Sequence, residues 1–239
     1  MDKLIITNTY QPIVCLDSGD IKSYEVLCRS KMGDIKFGAL DTIRLTASSI
    51  QEPLLISVVK NLIEDRVYFD MNTKFNLNAS WVDLSNSHLL LKVIHLFEKS
   101  SFPFGDLTIE LTESSECVIS DELINNFASF SSLGTKFSLD DFGCGFNSFE
   151  KFLFLPFTEV KFDKNIMERM CKFHKGSVEF KKFVSFLKSS GLCVVVEGIE
   201  SKKQYDFVKS IGAQYGQGFY ISKPRTAETS LLDNSICLT

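Results

Sequence analysis

The sequence predicts an α/β fold in which eight strands close into a barrel. Two observations carry this. Eight short runs rich in β-branched and aromatic residues recur along 239 residues, and most intervals between them show 3.6-residue apolar periodicity. Alternation of strand and helix over about 200 residues implies a largely parallel sheet wrapped by helices. Eight strands favour closure as a TIM-like (β/α)8 barrel, with an open doubly wound sheet as the alternative.

The strand runs fall near residues 11–16, 22–28, 74–80, 107–113, 136–142, 158–164, 193–199 and 214–220. Helical periodicity is clearest over 54–65, 122–130, 178–190 and 203–212. The first connection differs from the rest, because only Asp17-Ser18-Gly19-Asp20 separates the first two runs. A parallel crossover needs a dozen or more residues, so these two strands form a hairpin and the first is antiparallel. Pro12 lies within the first run, which implies an edge or a bulge there. No Gly/Ser/Pro linker divides the chain, so residues 1–239 are expected to form one domain. Its barrel spans about 5–224, followed by a polar, weakly patterned and partly mobile tail over 225–239.

Asp and Glu total 30 against 26 Lys and Arg, giving a formal net charge of −4, while histidine numbers three. With no Lys/Arg-rich run, a DNA-binding surface is not expected. Seven scattered cysteines without a C-x-x-C spacing fit reduced thiols in a cytoplasmic protein. No apolar stretch approaches the roughly 18 residues of a membrane helix, and the N-terminus lacks a signal-peptide pattern, so no membrane association is expected.

The acids are informatively placed. Glu25, Glu110, Asp140, Asp141, Asp163, Glu197 and Glu200 lie in or just after apolar strand runs, with Asn78, Gln217 and Lys161 at similar positions. Each acid alone is compatible with helix capping. Together, on the C-terminal face of a barrel, they would repel one another unless a cation lay among them. The donors are all oxygen, which favours Mg²⁺ or Mn²⁺ over Zn²⁺, and the adjacent pair Asp140-Asp141 suits two ions sharing a carboxylate.

In order along the chain stand Tyr10-Gln11-Pro12-Ile13, Glu25-Val26-Leu27 with Arg29, Asn78-Ala79-Ser80 and Glu110-Leu111-Thr112-Glu113. They are followed by Asp140-Asp141-Phe142-Gly143, Lys161-Phe162-Asp163, Glu197-Gly198-Ile199-Glu200 and Gln217-Gly218-Phe219. In this order the motifs resemble the EAL domain family of cyclic di-GMP phosphodiesterases, from about Tyr10 to Pro224. The resemblance implies an α/β barrel with an antiparallel first strand that hydrolyses cyclic di-GMP to linear pGpG, lowering the second messenger in bacterial signalling. The alternative within the family is a cyclic di-GMP receptor or protein-interaction module. It implies Mg²⁺ or Mn²⁺ as cofactor, with Ca²⁺ inhibitory, and a homodimer with an unspecified regulatory partner. Glu25, Asn78, Glu110 and Asp140 would ligate one metal, with Asp140 and Asp141 shared with or binding a second. Lys161 would hold the attacking water, with Glu197 a general base. Glu200 and Gln217 would complete the catalytic set. Gln11, Leu27, Arg29 and Asp163 would contact substrate, and Glu113 would anchor the loop after Asp140. Val26 departs from the family's alanine and, by strand alternation, points away from Glu25. Cys144, Phe146 and Asn147 stand where threonine, tyrosine and serine are usual.

Overall fold

The computed structural model describes residues 3–49, 52–112, 118–143 and 148–230. The chain starts with the expected hairpin. β1 (Ile5–Cys15) and β2 (Ile21–Met32) pair antiparallel from Ile5↔Lys31 to Val14↔Ile21. Gly19, at φ 79°, takes the left-handed turn conformation that a Cβ disfavours, and its N–H closes onto the Cys15 carbonyl at 2.9 Å. Pro12 faces Tyr24 of β2, whereas β1 meets the last strand only at Val14 and Cys15. Its missing N–H therefore lies on the open side, next to the register shift at Ile13/Val14. A short strand, β3 (Ile35–Phe37), folds back on the end of β2.

Helices α1 (Ala39–Ser49) and α2 (Leu54–Asp65) lead to β4 (Phe75–Ala79), which runs parallel to β2. From there the strands advance one by one around the barrel. β5 (Leu107–Thr112), β6 (Lys136–Asp140), β7 (Glu159–Phe162) and β8 (Cys193–Val196) each pair parallel with the strand before. The two-residue β9 (Tyr215–Gly216) pairs with β8 and with β1, and the β1–β2 ladder closes the ring. Eight strands thus close the mixed barrel and β3 is an appendage, in agreement with the predicted class.

The intervening helices are α3 (Trp81–Leu84), α4 (Ser87–Ser100), α5 (Asp121–Ser132), α6 (Ser148–Phe154), α7 (Lys164–Lys172), α8 (His174–Ser189) and α9 (Lys202–Ser210). Their starts are written in the sequence. Ser80, Asn86, Ser120, Asp163 and Ser201 each accept a hydrogen bond from a backbone N–H of the first turn. At Ser80 the bond is reciprocated by Asp83, a complete capping box. The core lies between the barrel wall and these helices. Trp81, Phe127, Phe137 and Phe157 form one aromatic cluster there, with Phe127 and Phe137 rings 4.3 Å apart. Each such ring contributes about 1.5–3 kcal/mol by burial.

The tail begins more ordered than its polarity suggests. Arg225 exchanges backbone hydrogen bonds with Tyr10, at 2.7 and 2.9 Å, and α10 (Ala227–Ser230) buries Ala227 and Ser230 against the barrel. Residues 231–239 lie outside the described part. No helix among the described residues is long and apolar enough to cross a membrane.

Candidate active site

Strand alternation turns every second side chain inward, and the C-terminal ends of the parallel strands open on one face. Six neighbouring strands, β2 and β4 to β8, deliver the central cluster. Lys161 on β7 is fully buried, and its Nζ donates to Glu110 Oε2 of β5 at 2.9 Å and pairs with Glu197 Oε1 just beyond β8. Glu25 Oε2 of β2 lies 3.7 Å from the same ammonium, and Asp140 Oδ1 of β6 lies 3.8 Å from it. Asn78 of β4 donates through Nδ2 to Glu25 Oε1 at 2.9 Å, leaving its carbonyl oxygen for another partner. From the other side, Gln217 Nε2 donates to Glu25 Oε2 at 2.6 Å and to Gln11 Oε1 at 3.3 Å, and Gln11 Nε2 donates to the Ser222 carbonyl. Residues spread over 206 positions of sequence thus meet in one hydrogen-bonded network.

The charge balance at this cluster is negative. Four carboxylates surround one ammonium, with Asp141 adjoining. Burial pushes Glu110 up to about 7, opposed by Lys161 and reinforced by Glu25 and Asp140. Burial likewise raises Glu197 well above the carboxylate range, against the pull of Lys161. Glu25 shares that burial, yet Lys161 and the amides of Asn78 and Gln217 outweigh it and hold Glu25 low. For Lys161, burial disfavours the charge, but Asp140, Glu110, Glu197 and Glu25 together keep it firmly protonated. Such an excess of buried anions is relieved by protons or by a cation. Asp140, Asp141 and Glu197 each offer an oxygen within 4.8 Å of the others. An all-oxygen donor set with surplus negative charge fits a hard divalent cation.

Asp141 has φ 53°, a left-handed backbone unusual for a residue with a Cβ, and its N–H bonds back to Asp140 Oδ1 at 2.9 Å. The turn aims two successive carboxylates at the same face. Strained residues of this kind cluster at functional sites. After β8, Gly198 turns at φ 65°, where an added Cβ would stand 2.4 Å from Lys164 Cβ.

Not every predicted site residue enters the cluster. Asp163 caps α7, its Oδ1 accepting from Asn165 N and Asn165 Nδ2, both at 2.7 Å. Glu200 lies at the rim and pairs with Lys164 at 2.7 Å. Leu27 and Arg29 lie further along β2 on the open face, and Arg29 Nη1 donates to the Cys28 carbonyl. Leu27 and Asn78 also border a cavity of about 700 Å³ lined by Pro53, Ser80 and Asp83. Val26 is buried in the core as alternation requires. Glu113, Cys144, Phe146 and Asn147 lie outside the described residues.

Three members of the network carry no motif signal. Asn76 donates to Glu110 Oε1 at 2.7 Å and to Glu159 Oε1 at 3.3 Å, and Glu159 is paired with Lys22. Their only signature is position: Asn76 and Glu159 precede Asn78 and Lys161 by two residues, on the same inner face.

The EAL domain family matches residues 5–224. The cyclic di-GMP phosphodiesterase PdeR of Escherichia coli is 27% identical over 235 residues, covering 95% of this chain and 34% of its own. The cyclic di-GMP phosphodiesterase RocR of Pseudomonas aeruginosa is 23% identical over 220 residues, covering 90% of this chain and 56% of its own. The oxygen sensor protein DosP of Escherichia coli is 25% identical over 92% of this chain and 28% of its own. The chain therefore spans between about a quarter and just over half of these relatives. Among solved structures, an EAL domain protein from Listeria monocytogenes superposes with TM-score 0.85 at 22% identity, covering 94% of this chain and 90% of that one. A standalone EAL protein from Vibrio cholerae, bound to c-di-GMP, superposes with TM-score 0.77 at 18% identity, covering 94% of each. The family model spans nearly the whole barrel and solved EAL structures share its fold, and the chain belongs to the EAL domain family.

Proposed function

We propose that this chain is a cyclic di-GMP phosphodiesterase that hydrolyses one phosphodiester of the ring to give linear pGpG. The carrying observation is the cluster itself: Glu25, Glu110, Asp140 and Glu197 gathered around a buried Lys161, with Asn78, Asp141 and Gln217 alongside. The names of PdeR and RocR support the choice of substrate.

Glu25, Asn78, Glu110, Asp140 and Asp141 are the residues to hold divalent cation, Mg²⁺ or Mn²⁺ by donor hardness. When bound, such a cation supplies Lewis acidity to the phosphoryl oxygens and lowers the pKa of water. Lys161, an ammonium fixed among these carboxylates, orients the attacking water and offsets charge on the phosphate. Glu197, whose proton affinity burial raises, takes the proton from that water and returns it to the departing 3′ oxygen. Water adds to phosphorus, one P–O bond breaks, and the phosphate stays on the 5′ side. Gln217 orients Glu25, while Gln11, Leu27 and Arg29 line the substrate's approach. Arg29 keeps N–H groups free to fork onto a phosphate oxygen. Asp163 and Glu200 act at the rim. Ca²⁺, larger and looser in geometry, inhibits. Leu153, Phe154 and Phe186, all more than half exposed on α6 and α8, support the reading of this side as a homodimer face. The free cysteines among the described residues, at 15, 28, 171 and 193, suit a cytoplasmic setting.

The test is incubation of purified protein with cyclic di-GMP and Mg²⁺ or Mn²⁺, with chromatographic identification of the product. Conversion to pGpG, abolished in Glu25→Ala and suppressed by Ca²⁺, is expected. Binding of cyclic di-GMP without turnover in either metal would replace the enzyme with the receptor.

A further inference from the structure

Below the carboxylate cluster the barrel holds a second polar tier that the function above does not use. Residues two positions earlier on the same strands face inward beneath it: Asn76 under Asn78, Ser138 under Asp140 and Glu159 under Lys161, all buried. Barrel interiors at this level are usually filled by branched aliphatic side chains. Here an ion pair crosses the floor instead. Lys22, at the start of β2, passes over the Tyr215 ring at 4.6 Å and pairs with Glu159 Oε2. Glu159 Oε1 accepts from Asn76 Nδ2, and the same Nδ2 donates to Glu110 Oε1. An unbroken chain therefore runs from Lys22 through Glu159, Asn76 and Glu110 to Lys161.

We infer that Lys22, Glu159 and Asn76 form a positioning relay that fixes the carboxylate of Glu110, and through it the cation affinity of the site above. The inference rests on reading Glu110 as a metal-holding residue. The Asn76 amide is the pivot. Its Oδ1 bonds to no protein group, so its orientation depends on Nδ2 alone. Two carboxylates, one above and one below, keep that nitrogen facing Glu110; a flipped amide would set oxygen against oxygen. Lys22, paired with Oε2, holds the lower carboxylate in place with Oε1 turned toward Asn76. A buried ion pair is in general dispensable for stability, because apolar residues of similar volume often serve as well. What apolar residues cannot supply is the acceptor beneath Asn76.

The experiment follows from that contrast. Lys22→Met/Glu159→Leu removes both charges at once and leaves neither unpaired. Titration calorimetry of the metal-stripped full chain with Mn²⁺ is expected to show affinity about 10–100-fold weaker than wild type, as for other loss of ligand-orienting partners, with thermal unfolding shifted by only a few degrees. Lys22→Met/Glu159→Gln leaves no charge unpaired and frees the one amide oxygen to accept from Asn76, and is expected to retain most of the affinity. Wild-type Mn²⁺ affinity in Lys22→Met/Glu159→Leu, or an equal loss in Lys22→Met/Glu159→Gln, would overturn the relay while leaving the metal reading intact. No Mn²⁺ uptake by the wild type would overturn both.

Discussion

Removing Lys161 should expose how much of the fold is held against its own charges. Its ammonium is fully buried, with Glu110 at 2.9 Å, Glu25 at 3.7 Å, Asp140 at 3.8 Å and Glu197 in contact. At an effective dielectric of about 20, each measured separation corresponds to roughly 4–6 kcal/mol of attraction before desolvation is charged against it. Most of that gain offsets the loss of hydration, so the informative quantity is the cost of breaking the set, about 3–5 kcal/mol for a buried pair left with one partner. Lys161→Met keeps the volume and removes the charge. For a chain of this size each kcal/mol moves Tm by about 2–4 °C, so a fall of roughly 6–20 °C is expected in the metal-stripped protein at pH 8. The carboxylates left behind bind protons more tightly than in the unfolded chain, so their destabilisation grows as pH rises and shrinks toward pH 5. Mn²⁺ should restore part of the loss by replacing the missing positive charge. Thermal unfolding by fluorescence, across pH and with or without metal, reads all three. A Tm change under about 2 °C at pH 8, or a larger loss at pH 5 than at pH 8, would refute this account of the cluster.

Further expectations follow from other contacts. With Glu110 raised from 4.5 to about 7, the metal-stripped wild type should lose stability as pH rises through that window, because the folded state holds the proton longer; Mn²⁺ affinity should weaken below pH 7, and unfolding and calorimetric titrations check the two. Gly198→Ala forces a Cβ into a left-handed turn against Lys164 and should cost about 1–3 kcal/mol, measured by denaturant unfolding, while loosening the Lys164–Glu200 pair. Ser80→Ala removes a complete capping box at the strand-to-helix turn after Asn78 and should cost about 1 kcal/mol by the same measurement. Asp163→Asn keeps an α7 cap and should leave unfolding unchanged; a raised KM is expected from its substrate role, and an unchanged KM would confine Asp163 to capping.

The architecture was legible because its signals are local. The four-residue hairpin loop dictated an antiparallel β1–β2 pair, and alternating strand and helix periods dictated the parallel remainder. The ends of the sheet were not. β9 keeps only two residues of its apolar run, although the Gln217 N–H still bonds the Val196 carbonyl beyond them, and β1 begins at Ile5, where pairing with β2 outweighs a polar Thr-Asn-Thr stretch. In the site, acids at strand ends were visible as a set, since convergence follows from barrel topology. Which of them turn inward was not: Asp163 and Glu200 sit at similar strand ends, but one closes the first turn of α7 and the other meets Lys164. Lys22, Asn76 and Glu159 escaped notice because one polar residue in a strand looks the same whether it faces water or a buried partner. Only the assembled barrel sets Lys22 against Glu159, 137 positions away.

In the proposed reaction this cluster directs water onto a phosphodiester phosphorus of cyclic di-GMP. Turnover in heavy-oxygen water with Mn²⁺, followed by mass spectrometry of the product, tests it most directly. Linear pGpG carrying one heavy oxygen in its 5′-phosphate is expected, with no product from Glu25→Ala. Unlabelled pGpG, or cyclic di-GMP bound and recovered intact, would contradict it.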